Sequence, residues 1–243
     1  MFDYDFCKID AYIYSALQSR LTDDQMNWLN SKVELLRIGC EPKHFQAAFG
    51  IIPRRISKKV VLLSEAEKRS LDLLYKGLSI DGWELSRLVR CWFIMQLQEK
   101  DVATYHQYID NLFATADMNE AAALYSSLPL LAFPDSWIQR CMEGVRSNLG
   151  VVLSAIICNN PYPAKYLPEA AWNQLVLKAF FTNQEIEHIY GLEIRKNQAL
   201  SDSLYDYVKE RNAAGRSIHP TIWECMAPYI DAEQQKELKH ATL

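Results

Sequence analysis

The chain has 243 residues, 49% of them hydrophobic and 23% charged, with a formal net charge of −4. That length can bury a substantial core, the composition excludes a disordered chain, and the acidic balance offers no basic face for nucleic acid as the main partner. Only eight glycines occur, below the usual share of ~7%, which together with abundant Ala, Leu, Gln, Glu and Lys favours helices over a turn-rich β architecture.

The apolar spacing is helical almost throughout. It predicts a first helix over 3–20, with Phe6, Ile9, Ile13, Ala16 and Leu17 on one face. The opening MFDYDFCKIDAY is acidic and lacks a continuous apolar core, so it does not read as a secretory signal. Thr22-Asp-Asp-Gln25 reads as a capping box that starts a helix through Trp28, Leu29, Val33 and Leu36 and ends at Gly39. A short helix over 42–49 then leads into IIPRRISKK, a basic, proline-containing connection. Its Arg54, Arg55, Lys58 and Lys59 are either a solvated basic loop or an attractor for phosphate or a membrane surface, because clustered positive charge concentrates anions. Ser64-Glu-Ala-Glu67 is a second capping box, and Gly77 closes its helix.

The stretch from Asp81 to Gln98, containing LVRCWFIMQL, is apolar on nearly every side and reads as a central helix. Helices over 100–114, 118–127, 135–147 and 149–158 follow. Asp117 is placed to cap the helix beginning at Met118, with Glu120 completing a box. Gly144, inside a helical pattern, implies close backbone packing. Arg146, just beyond it, is expected either to bind an anionic group or to pair with Glu143.

NNPYPAKYLP, 159–168, is stiffened by proline. Asn159 suits the left-handed end of the preceding helix, Asn160 is pushed extended by Pro161, and Pro168 with Glu169 suits a helix first turn. Three prolines also hold Tyr162 and Tyr166 in fixed positions, as binding surfaces often require. In the helix predicted over 168–181, Trp172, Val176, Ala179 and Phe180 share an apolar stripe. Gln174 and Lys178 are neighbours on another face, either solvated or lining a pocket. Helices over 198–213, 220–229 and 232–241 complete the chain.

About a dozen helices joined by short turns define an all-α fold, either an α-α superhelix with HEAT-like pairing or an orthogonal bundle. No Gly- or Ser-rich linker divides residues 1–243, so one domain is expected. The six cysteines are scattered without a C-x-x-C pair and read as buried free thiols in a reducing compartment. The five histidines show no metal-ligand spacing, and no phosphate loop, nucleophile elbow or dinucleotide fingerprint occurs, so neither metal nor cofactor is expected. CWFIM and LGVVLSAIIC, the most apolar runs, fall far short of the ~20 residues of a membrane span. A cytoplasmic location follows, with any membrane association peripheral.

NPYPAKYLPEAAWNQLVLKAFF, preceded by EGVRSN and by LFATADMNEAAALYSSLPLL, resembles the EboA family. IIPRRISKK upstream and IYGLEIRKNQALSDSLYDYVKERNAAGR downstream extend that resemblance over roughly 15–230. Asn160, Pro161, Tyr162, Pro163, Trp172, Asn173, Gln174, Lys178, Arg146 and Asn148 match the family's motifs. The family often has His-Pro after the marked helix, where this chain has His188-Ile189. The resemblance implies a bacterial protein of metabolite traffic toward the cell envelope, encoded beside a UbiA-like prenyltransferase and without established catalytic residues.

The leading expectation is a non-enzymatic protein that binds a small metabolite or a membrane-bound partner such as that prenyltransferase, peripherally at the inner membrane. Its expected groove is lined by Tyr162, Trp172, Lys178 and Arg146, with Asn148, Asn160, Asn173 and Gln174 as further candidates. The alternatives are a scaffold docking other proteins of the gene cluster, and an enzyme acting on an isoprenoid or sugar-like compound. The latter needs Asp117, Arg146 and His188 to converge.

Overall fold

Helical spacing becomes helical structure in a computed structural model that describes residues 2–37, 39, 41–97, 101–231 and 234. Thirteen α-helices follow one another among these residues. They are α1 (Phe6–Gln18), α2 (Asp23–Arg37), α3 (Pro42–Arg55), α4 (Glu65–Leu74), α5 (Leu85–Met95), α6 (Val102–Thr115) and α7 (Met118–Ser126). Then come α8 (Ile138–Val145), α9 (Gly150–Ile157), α10 (Tyr162–Tyr166), α11 (Glu169–Phe181), α12 (Gln198–Ala213) and α13 (Thr221–Met226). The helix expected over 232–241 lies, apart from Gln234, outside the described residues.

The capping chemistry forms as the sequence predicts. Thr22 and Gln25 exchange hydrogen bonds between side chain and backbone, and the boxes Ser64/Glu67 and Asp117/Glu120 close α4 and α7 at their starts. Each satisfies N–H groups that an unfinished helix leaves without partners.

Ten of the eleven residues of α5 are buried. The helix packs against α1, α3 and α7, and contacts continue from α7 to α9 and from α9 to α11. The odd-numbered helices α3 to α11 therefore form a continuous row, and one apolar core runs from Ile9 to Met226. The fold is all-α.

Three local expectations are corrected. The helix predicted over 42–49 runs on through Pro53 to Arg55. Proline interrupts a helix partly because the carbonyl four residues earlier loses its donor; here that carbonyl, on Phe49, accepts from Arg90 Nε at 3.4 Å. The Arg90 guanidinium also covers the Phe49 ring at 5.0 Å and pairs with Glu120 at 3.0 Å, so this buried charge is compensated.

The central helix begins at Leu85, four residues later than the pattern suggests. Val61 and Gly82 donate to the carbonyls of Trp83 and Val61, both at 2.8 Å, which holds residues 82–84 out of the helix. Finally, 162–166 form the short helix α10, and Pro168 caps α11 instead of entering its first turn. Pro161 and Pro163 occupy the cap and first turn of α10, where a missing N–H costs nothing.

Candidate functional site: the 159–197 corner and its cleft

Asn159 ends α9 in the left-handed region at φ 54°, as its residue type allows. Its N–H donates to the His188 carbonyl at 2.8 Å, which ties the corner to the later 186–194 segment. Asn160 is buried. Its amide donates to the Tyr125 and Ala155 carbonyls at 3.1 and 2.9 Å, and its oxygen accepts from the Tyr162 N–H at 3.0 Å. Tyr162 is 0% exposed, and its hydroxyl donates to the Pro134 carbonyl at 2.6 Å. Burial pushes that phenol well above the usual range.

Trp172 is 1% exposed, and its indole nitrogen has no hydrogen-bond partner among the described residues. The Arg195 guanidinium lies over its ring at 5.0 Å. The same guanidinium donates to the carbonyls of Pro163, Ala164 and Leu167 at 3.2, 3.1 and 2.9 Å. Arg195 thus closes the C-terminal end of α10, adding its fork to the Leu167 N–H that already reaches the Pro163 carbonyl at 3.1 Å. Sequence reading misses it because its partners lie about thirty residues away, and only the IYGLEIRK stretch that contains it was recognisable. Asn173 and Asn197 exchange amide hydrogen bonds at 3.0 and 2.9 Å, while Asn197 caps α12 by accepting from the Leu200 N–H.

The remaining sequence candidates lie on the surface. Lys178 donates to Asn148 Oδ1 at 3.1 Å. Arg146, exposed, sits two residues before Asn148 in the same connection, and Gln174 is exposed on α11. The expected pairing of Arg146 with Glu143 does not form, because Glu143 pairs with Arg140 at 3.0 Å, one helical turn earlier. The structure therefore pairs Lys178 with Asn148, leaves Arg146 and Gln174 exposed, and places Tyr162, Trp172, Asn160 and Asn173 inside. His188 pairs with Glu185 at 2.9 Å, and Asp117 caps α7. Gly144 packs as its position implied: a Cβ there would lie 2.4 Å from the Tyr125 ring. Arg54, Arg55, Lys58 and Lys59 are all exposed.

Against the corner opens a cleft of about 530 Å3, between the turn at Lys76 and Gly77, the 186–194 segment and the start of α13. Its walls are fixed by close approach. A Cβ on Gly77 would lie 2.1 Å from the Tyr190 ring, and one on Gly191 would lie 2.5 Å from Ala164 Cβ; both glycines have φ 85°. Ile186, Ile189 and Leu192 supply apolar surface, and Glu187, Glu193 and Glu224 supply carboxylates. Glu187 is 3.2 Å from His219 and Glu193 is 2.6 Å from Lys196, whereas Glu224 has no ion pair among the described residues. Carboxylates around an apolar floor can accept hydrogen bonds from hydroxyls or an ammonium while covering carbon.

The structure defines an all-α chain with a lateral acidic cleft, in which no helix among the described residues is long and apolar enough to cross a membrane. The family model described as Metabolite traffic protein EboA matches residues 9–227 of the 243, and the chain belongs to that family. Neither the curated proteins nor the solved structures contain a match to it.

Proposed function

We propose that the protein takes part in metabolite traffic by holding a small polar molecule in the cleft beside the corner, without transforming it. The observation that carries this reading is the rigid cleft itself. Gly77 and Gly191 let the 186–194 segment close on the 76–77 turn and on Ala164, leaving a preformed cavity of about 530 Å3, within the ~300–1,000 Å3 range of small-molecule sites. Glu224 and its neighbours orient hydroxyl or ammonium groups, and Ile186, Ile189 and Leu192 cover the carbon face.

In this reading Asn160, Tyr162, Trp172 and Asn173 build the wall that the cleft leans on. Arg146, Asn148, Gln174 and Lys178, on the outer surface, contact the protein that receives the molecule, the UbiA-like membrane prenyltransferase implied by the family being the leading partner. The location is the cytoplasmic side of the inner membrane.

Native mass spectrometry of the protein purified from its own host tests the cleft. The expected result is a small-molecule adduct on the wild-type chain that disappears from Glu224→Arg while the helical circular dichroism stays unchanged. An adduct retained equally by both would overturn the reading. Absence of any adduct alongside tight retention of another protein would favour a docking scaffold.

A further inference from the structure

We infer that the connection from the end of α3 to the start of α4 is a docking edge for an anionic lipid bilayer. Residues 51–64 contain four Lys or Arg and no Asp or Glu. With a chain total of −4, the rest of the molecule therefore carries −8, so positive charge is concentrated on this edge of an acidic protein. Arg54, Arg55, Lys58 and Lys59 are exposed, and none has an ion pair among the described residues.

Apolar side chains stand among these cations. Ile51 lies three and four residues before Arg54 and Arg55, on the same face of α3, and is 37% exposed. Beyond Lys59 the chain runs extended and its residues alternate: Val61 and Leu63 point into the core, while Val60 and Leu62 are 49% and 74% exposed. In such a segment the outward positions ordinarily carry polar residues. Here both are aliphatic and follow directly on two lysines.

This combination fits a bilayer interface, where cations meet anionic headgroups and aliphatic side chains enter the acyl boundary. Single-stranded nucleic acid would call for exposed aromatic rings to stack on bases. Residues 51–64 contain no aromatic ring.

Each Lys or Arg held near an anionic leaflet raises partition by about fivefold, so four give at least a hundredfold. The attraction falls as salt shortens the screening length. This inference is independent of the cleft, and its test needs no metabolite.

Sedimentation of the full chain with vesicles of phosphatidylcholine alone, or with about a third phosphatidylglycerol, reads it directly. The wild type is expected to sediment with the anionic vesicles at low salt and to be released at high salt. R54Q/R55Q/K58Q/K59Q lowers the partition at least tenfold, and V60S/L62S lowers it severalfold with the salt dependence retained. K8Q/R37Q/R216Q, which removes three exposed cations elsewhere, leaves it within about twofold. All these side chains are solvent-facing, so unchanged circular dichroism is expected. Equal binding to both vesicle types, or equal partition of the wild type and the quadruple variant, would overturn the inference. So would binding to an RNA oligomer but to neither vesicle.

Discussion

The 159–181 corner and the 51–62 edge treat their polar groups in opposite ways. At the corner, Asn160, Tyr162 and Asn173 are buried and hydrogen-bonded to groups elsewhere in the fold. At the edge, four cations and three aliphatic side chains, Ile51, Val60 and Leu62, are exposed to solvent. The buried polar groups of the corner are thus construction, because burial makes each depend on particular partners within the fold. The edge satisfies no such demand within the chain, and that is where attraction to something outside is physically available.

The sharpest way to break this contrast is Trp172→Ala. Removing a fully buried indole is expected to cost about 3–5 kcal/mol of unfolding free energy, measured by guanidinium titration. The quadruple replacement of the edge cations should stay within about 0.5 kcal/mol, as for surface positions generally. A corner loss below about 1 kcal/mol would mean that Trp172 fills a space able to collapse, and the corner would no longer count as core. Trp172→Phe should be far milder, since it also removes the indole N–H that lacks a partner.

Arg195 comes second in size. Arg195→Ala removes hydrogen bonds to two carbonyls of α10 and to that of Leu167 just beyond it, together with the cover over Trp172, and should cost about 2–3 kcal/mol. Arg195→Lys should recover less than half, because an ammonium cannot reproduce a planar fork that reaches several carbonyls at once. Full recovery by lysine would show that charge alone matters at this position, and that the corner is less geometrically determined than its hydrogen bonds indicate.

What the sequence disclosed follows the range of the interactions involved. Capping boxes at Thr22, Ser64 and Asp117 and the left-handed Asn159 were readable because each depends on residues within three or four positions. The breadth of α5 was readable from its unbroken apolar run. Pro53 inside α3 was not, because its tolerance rests on Arg90, 37 positions later. Nor was α10, whose stability comes from Arg195 on a separate loop. The same limit governs the cleft, where the motif supplied Asn159 but the carboxylates come from 187, 193 and 224. Tyr162 looked like a binding-surface aromatic, and Trp172 was readable both as core on an apolar stripe and as a groove wall, because sequence reveals their rigidity and not which way they face.

The smallest expected effect separates Lys178 from the rest of its segment. Its ammonium reaches Asn148 Oδ1 at 3.1 Å on the surface, and a solvated contact of this kind contributes only ~0.2–1 kcal/mol at most. Lys178→Gln and Asn148→Ala should therefore each change stability by less than about 0.5 kcal/mol, and in a double-mutant cycle their coupling should be no larger. A coupling above about 1 kcal/mol would move Lys178 into the class of Asn173, a side chain whose partner is fixed by the fold. A near-zero coupling leaves its ammonium free to exchange Asn148 for an external acceptor at little cost, which is the property a contact point for another protein needs.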